Sequence, residues 1–546
     1  MTKQMPPEPD SAAQLFSSQV SILQAALPGF LTDQRWFAGK TQTIACVTVA
    51  DAIALGPGCR ADEYWLLLAE VLLSDQTRQQ YSIPLVIERQ QDSDNSAVLL
   101  HFRPTGSTAT TCYVADATGR PDFWRCFVRY ACIADSLRSH QNRQLKYVPT
   151  GRGTAWADGP LDDLSVELCE SSQSNTTVFL GGHACLKLFR RPSVEINPDV
   201  EIGVFLTTRT HFTNSPAVTG QIQLVPQDGP AVCLAMISEL VPALSDAWNF
   251  TRSQVDSFWQ QLFISQKLLE ASPDPVEWTI AACGGPLPAD AQLLGDFPEA
   301  VALLGRRTAE LHIALDSDSL SEAFCPEQES LTSVQEHLLR IRGEVATTVA
   351  LLQSATLADP TAADLATRIS AVASSRLDDL ESAVESLTGR LMRVHGDYHL
   401  GQILRTDGDF MIIDFEGEPD RTPAERRRKC SVMKDVAGLI RSLHYAACAG
   451  AADLIPCLDD REIPGNVMHW QNFWFHCAAH SFLKGYLETA VGHGFLPASM
   501  DQTQQLLELH LLEKVLYELR YELNNRPDWV AIPLAGLKSV LNLQEK

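Results

Sequence analysis

The chain has 546 residues, of which 45% are hydrophobic and 20% charged, with a formal net charge of -24 and fourteen cysteines. That length exceeds one ordinary core, and the composition is that of a folded globular protein, so two or three domains are expected. The acidity excludes a general nucleic-acid surface, which needs clustered Lys and Arg, and no window nears the roughly 18 uninterrupted apolar residues of a membrane span. The cysteines are scattered among apolar neighbours without a CxxC pair, so neither a disulfide framework nor structural zinc is expected. The start, MTKQMPPEPD, lacks a basic segment followed by an apolar one, and a cytoplasmic location with a floppy first ten residues is expected.

Residues 11 to 26 have helical spacing, and LPGFLTDQRWFAGK follows before the strand-like stretches EYWLLLAEVLL and QQYSIPLVIE. From about 165 to 240 the pattern is again β-rich. SVELCESS, TTVFL and ACLKLF come first, then a helix at DVEIGVFLTT, then QIQLV and VCLAMISELV. After Ser245 long amphipathic windows dominate, so the C-terminal half is expected to be mostly helical. One β interlude breaks it: GQILRT and DFMIIDF around the turn Asp407-Gly408. The densest basic run, ERRRKC at 425 to 430, is read as a solvated loop or helix face.

That interlude sits in VHGDYHLGQILRTDGDFMIIDFEGEP, Val394 to Pro419. Two carboxylates and an amide suit Mg²⁺, a hard cation that takes oxygen ligands and is commonly shared with phosphates. Gln402 and Asp414 fit that role. Asp397, just ahead of the hairpin, is placed to accept a hydroxyl proton. Phosphoryl transfer needs this division of labour: an orienting base, ligands for a metal, and positive charge on the phosphates. The bland reading, a polar turn and a strand end, accounts for an isolated HGD but not for the whole spacing.

A kinase of this design needs a cation on a strand held by a helix carboxylate. Lys187 in ACLKLF and Glu201 in the next helix stand in that order. Ser174, Asn175 and Thr176 lie at a strand turn where they can donate to phosphate, or simply close a hairpin. MISELVP ends a strand at Glu239, Leu240 and Val241, where a hinge would offer backbone groups to adenine. A disaccharide site needs planar hydrogen-bonding groups beside an aromatic face. Glu518, Tyr521 and Arg526 in YELRYELNNRPDW, together with His395, are the candidates, against the plainer reading of a buried polar anchor between helices. Arg35 and Trp36 are read as packing between domains.

HGDYHLGQ with IDFEGEP, together with QSNTT, CLKLFRR, NPDVEIGVFL, RRTAELHIAL and NNRPDWVAIPL, closely resembles the maltokinases, relatives of the aminoglycoside phosphotransferases. QRWFAGK resembles their N-terminal cap. The resemblance implies an α+β, bilobal, protein-kinase-like fold with an N-terminal cap. Its parts would be a cap at 1 to 108, a β-rich lobe at 109 to 240 and a helical lobe at 241 to 546. It implies ATP-dependent, Mg²⁺-assisted phosphorylation of maltose at its anomeric hydroxyl, feeding α-glucan assembly. A trehalose synthase would be a functional partner on a separate chain. By the same resemblance Asp397 is the base, Gln402 and Asp414 are the metal ligands with Glu416 assisting, and Lys187 with Glu201 is the phosphate-binding pair. Tyr398 and His444 stand where the resemblance leads one to expect Leu and Asp. The rival readings are a kinase of another sugar, aminoglycoside or choline-like alcohol, and a non-catalytic partner of a trehalose synthase.

Overall fold

The structure is a computed structural model that describes residues 20–40, 42–57, 63–88, 98–102, 111–132, 137–153, 156, 160–169, 174–270, 272–354, 362–382, 389–419, 421–454 and 466–541. The expected tail, the start of the first helical window and the expected boundary at 108 lie outside them. The chain divides into two compact units. One runs to Thr208 and includes Pro216–Leu240; the other comprises Arg209–Ser215 and the chain from Val241.

In the first unit, helix α1 (Val20–Asp33) precedes a five-stranded antiparallel sheet of β1 (Ile44–Pro57), β2 (Glu63–Leu73), β3 (Arg78–Glu88), β4 (Val98–Phe102) and β5 (Cys112–Asp116), in the order β1-β2-β3-β5-β4. β2 is nearly continuous apolar sequence because both of its faces are covered. Trp65, Leu67, Ala69 and Val71 pack with Leu23, Leu27 and Leu31 of α1. Tyr64, Leu66 and Leu68 face Phe123, Trp124 and Phe127 of helix α2 (Pro121–Cys132).

That second core continues into a six-stranded antiparallel sheet. Its strands are β6 (Gln144–Pro149), β7 (Val166–Leu168), β8 (Thr176–Leu180), β9 (Ala184–Leu188), β10 (Val218–Val225) and β11 (Val232–Glu239), in the order β6-β10-β11-β9-β8-β7. The two sheets therefore share one core, and the first runs past position 108 to β5. Helix α3 (Pro198–Arg209) follows β9.

The second unit is mostly helical. Its main elements are α4 (Ala247–Ile264), α5 (Phe297–Leu315), α6 (Leu331–Ser354), α7 (Ala362–Ser382), α8 (Met433–Leu454), α9 (Val467–Ala490), α10 (Met500–Asn525) and α11 (Ala531–Val540). The expected hairpin is present as β12 (Ile403–Arg405) and β13 (Phe410–Ile412), turning through Gly408 at φ 81°, a value that suits glycine. Asn214 clasps β13 from outside, donating through Nδ2 to Phe410 O at 2.9 Å and accepting Ile412 N–H at 2.8 Å. Among the described residues no helix is long and apolar enough to cross a membrane.

Helices α5 and α9 cross with their backbones in contact at two glycines. A Cβ on Gly485 would lie 1.9 Å from Ala302 O, and one on Gly305 2.1 Å from Phe482 O. Gly485→Ala is expected to lower stability by about 1–3 kcal/mol through forced separation of the helices. Gly343, in α6 with open space around it, is the contrast. Gly343→Ala is expected to raise stability by roughly 0.5–1 kcal/mol. Denaturant melts of the two variants check the opposite signs.

Candidate active site

The loop that carries HGD has no ladder of its own and is held from below by a buried carboxylate. Asp435, on the first turn of α8 and 1% exposed, accepts the N–H of His395 at 2.7 Å and of Gly396 at 2.9 Å. His312 of α5 places Nε2 3.2 Å from the same carboxylate, and its Nδ1 lies 2.9 Å from the Tyr486 hydroxyl. Facing a carboxylate, Nε2 carries the proton, so Nδ1 accepts from Tyr486. Burial raises the Asp435 carboxyl, but the His312 bond, His395 and the Gly396 N–H outweigh it and hold it below its usual value. Gly438 lets α8 approach the loop: a Cβ there would stand 2.5 Å from Tyr398 O. Gly396 itself has φ 88°, left-handed backbone. Tyr398, unexpected at its position, is buried with its hydroxyl 2.9 Å from Thr308 Oγ1, so its polar end is satisfied behind the loop.

His395 is 1% exposed; its Nε2 lies 3.0 Å from Ile413 O and its Nδ1 3.4 Å from the Asp397 N–H. The ring donates through Nε2 and accepts through Nδ1, joining the loop to the end of the hairpin.

Asp397 retains 20% side-chain exposure and meets Lys514 of α10, whose Nζ lies 3.2 Å from its Oδ1. Burial opposes ionisation of Asp397, yet Lys514, His399 and His395 together lower its carboxyl to about 2. Burial in turn opposes charge on Lys514, but Asp397, Glu418 and Glu518 keep it protonated. Lys514 was absent from the sequence reading: it lies 117 residues from Asp397, on a helix whose sequence gives no sign of which face meets the loop.

At the hairpin, the Ile413 N–H bonds to Gln402 O at 3.0 Å, which sets the residue bearing the amide against the neighbour of Asp414. Asp414 has φ 67°, a strained conformation for a non-glycine residue that clusters at functional sites. Carboxylate oxygens of Asp414 and Glu416 lie within 4.8 Å of one another. The donors offered here are all hard oxygens, which fits Mg²⁺ rather than a softer metal.

Lys187 Nζ lies 2.7 Å from Asp199 Oδ2, with Asp199 almost fully buried. Asp199 stands two residues before Glu201 on the same first turn of α3, an acid that the strand-then-helix order does not single out. Asn175 and Thr176 are both buried, with Asn175 Oδ1 accepting the Arg190 N–H at 3.2 Å and Thr176 Oγ1 accepting from Arg190 Nε at 2.7 Å. Their side chains brace the turn, and Ser174 is the exposed member. The Glu239 N–H bonds to Ala217 O, and Val241 O accepts the Ala243 N–H. Glu239 belongs to the first unit and Val241 to the second.

Beside the Asp397 loop the second unit holds a cavity of about 390 Å³, with Gly396, Glu418, His337, Arg340, His510 and Glu513 in its wall. Glu513 organises one side. His337 Nε2 is 3.1 Å from it, His510 Nδ1 is 3.3 Å away, and Arg340 is paired with its other oxygen. Burial raises the Glu513 carboxyl, but its bonds to His337 and His510 and the nearby Arg340 hold it well below the usual range. Burial pushes His510 down, so that ring is neutral near pH 7. Arg426, Arg428 and Lys429 of the run ERRRKC also line this cavity, with Arg428 exposed, as a solvated face would be.

Glu518, Tyr521 and Arg526 do not line it. Glu518 pairs with buried Arg441 at 2.8 Å. Arg526 forks onto buried Glu522 at 2.8 and 2.6 Å and sits over Trp529 at 5.0 Å, with Tyr521 on its other contact at 5.5 Å. Glu518 is mostly buried, whereas Tyr521 is 39% exposed and the Arg526 side chain 48%.

Residues 30–119 match the maltokinase N-terminal cap domain, in line with the resemblance of QRWFAGK. A glucosamine kinase from Streptacidiphilus jiangxiensis is 26% identical over 378 residues, 68% of this chain and 72% of the relative. One from Mycolicibacterium smegmatis is 32% identical over 192 residues, 33% of this chain and 44% of the relative. A solved glucosamine kinase, crystal form B, aligns at a TM-score of 0.58 and 21% identity, covering 96% of this chain and 99% of that one. A glucosamine kinase in complex with glucosamine, ADP and inorganic phosphate aligns at 0.55 and 22%, over the same shares. The α+β fold with an N-terminal cap is the one these proteins share.

Lys514→Met leaves the burial of Asp397 unopposed by its nearest cation, so the carboxyl rises from about 2. The depressed carboxyl adds stability that is full above its unfolded value of 3.8 and is lost as pH falls through about 2; the variant forfeits that contribution. The acid limb of its catalytic pH profile is expected to move up by about one unit or more. An unshifted acid limb would show that Lys514 does not set the charge on Asp397.

Proposed function

We propose that this protein transfers the γ-phosphoryl group of ATP to a hydroxyl of a sugar held in the cavity beside Asp397. The observation that carries the reading is one partly exposed, ionised aspartate held by the Asp435-anchored loop, adjacent to a hairpin that offers only hard oxygens. Asp397 would accept a hydrogen bond from the attacking hydroxyl and aim its oxygen at the γ-phosphorus. With its carboxyl near 2 it is a weak base, so it orients the alcohol first and takes the proton only as the new O–P bond forms. Gln402 and Asp414, with Glu416 beside them, would hold Mg²⁺, which supplies charge neutralisation at the phosphates. Lys187, steadied by Asp199, would carry positive charge to the nucleotide phosphates. The Ser174 turn would receive them, and Glu239 and Val241 would meet adenine.

The glucosamine kinases to which the chain is similar support an amino sugar as the acceptor. Maltose, with a trehalose synthase acting in the same metabolism, is the second reading and is supported by the maltokinase cap match.

The direct test offers Mg-ATP with glucosamine, maltose, glucose and an aminoglycoside, and follows phosphate on each product. Glucosamine is expected to be phosphorylated most efficiently. Phosphorylation of maltose alone would replace the amino-sugar reading, and no ATP-dependent product with any sugar would remove the kinase reading. Asp397→Asn is expected to lower kcat by at least about 10²-fold while nucleotide affinity stays near that of the parent.

A further inference from the structure

Arg190 is a buried charge in the first unit, 1% exposed, whose direct hydrogen-bond partners among the described residues are all neutral. The carboxylate that acts on it, Asp116, is reached through Thr118, whose Oγ1 donates to Asp116 Oδ1 at 2.6 Å. Desolvation of such a guanidinium is costly, and an apolar side chain in the same place would usually be no less stable. Its contacts fall into two sets. Toward the cap, Nη1 donates to Ser82 O at 3.2 Å, Nη2 donates to Thr118 Oγ1 at 2.8 Å, and the guanidinium lies 4.6 Å from the centre of the Trp36 ring. Toward the sheet, Nε donates to Thr176 Oγ1 and the backbone N–H to Asn175 Oδ1.

The cap also grips the strand end directly. Ser82 N donates to Arg190 O at 3.0 Å and Ser82 Oγ to Phe189 O at 2.6 Å, two residues beyond Lys187. Trp36, Ser82 and Thr118 all fall within the segment that matches the cap domain. One side chain thus ties three cap residues to the Ser174–Thr176 turn, and the same arginine lies two residues beyond the end of the strand that bears Lys187.

We propose that Arg190 is a positioning residue through which the cap fixes the Ser174–Thr176 turn and the Lys187 strand end for nucleotide phosphates, so that the cap sets nucleotide affinity. The inference rests on the kinase reading above. Rigid donors bind phosphate more tightly than mobile ones because less ordering remains to be done on binding. Arg190 touches no nucleotide on this account.

The test titrates a fluorescent ADP analogue with Mg²⁺ and no sugar into the full-length parent, Arg190→Lys and Thr118→Val. Lysine keeps the charge but loses the planar fork. Thr118→Val removes one hydroxyl from the cap side, so it checks the link where the arginine variant itself fails to fold. Both variants are expected to bind the analogue about tenfold more weakly, ~1.4 kcal/mol, with KM for ATP rising in step and KM for the sugar within about twofold. Parent-like nucleotide affinity in folded variants would overturn the inference while leaving the kinase reading intact, as would equal rises in both KM values. No binding of the analogue by the parent would overturn both.

Discussion

The structure around the candidate active site depends on one buried carboxylate. Asp435 is 1% exposed and accepts two consecutive backbone N–H groups, those of His395 and Gly396, with His312 closing the third side. A loop without a ladder leaves its N–H groups unsatisfied, and burying them unpaired costs about 1–3 kcal/mol each. Asp435 meets that need and in doing so fixes where Asp397 begins. The converse also holds. The anion is tolerable in the interior because three donors replace its water, and a buried carboxylate stripped of its partners costs roughly 3–5 kcal/mol. Loop and anchor are therefore each other's condition for existing.

From that anchor, rigidity spreads to the hairpin by His395. Its two ring nitrogens do opposite jobs, one toward the Asp397 N–H and one toward Ile413 O. Ile413 also binds Gln402 O, so the residues on either side of the hairpin are tied to the loop by a short chain of bonds. The strained φ of Asp414 sits at the end of that chain, where surrounding bonds over-determine the backbone. The charges are arranged on the same principle. A chain with a net charge of -24 gathers Arg340, Arg421, Arg426, Arg428, Lys429 and Lys434 around one cavity. Glu513 stands among them, and although burial raises its carboxyl, His337, His510 and Arg340 hold it well below the usual range.

Much of this was legible in the sequence because it is local. The apolar run of β2, the Asp407-Gly408 turn and the helical periodicity after Ser245 each follow from spacing alone. The spacing HGD, Gln, Asp singled out the residues the loop and hairpin present. What spacing does not encode is which distant side chain completes a pair. Lys514 meets Asp397 from 117 residues away, and the His337 that faces Glu513 lies on another helix. Lys187 shows a subtler limit: strand-then-helix order points to a first-turn acid, Asp199 and Glu201 both stand there, and it does not single out Asp199, which lies 2.7 Å from Lys187. In YELRYELNNRPDW the spacing shows the residue types of a sugar site but not the distant Arg441 that pairs with Glu518.

The central claim is that the anchored loop and the hairpin divide one reaction, with Asp397 for the alcohol and Gln402 with Asp414 for the metal-bound phosphates. An experimental structure with Mg-ADP tests it most directly. The account predicts magnesium within about 2.0–2.1 Å of oxygens from Gln402 and Asp414, with Asp397 outside its coordination sphere and facing the cavity. Magnesium bound by Asp397, or bound away from both hairpin residues, would contradict it.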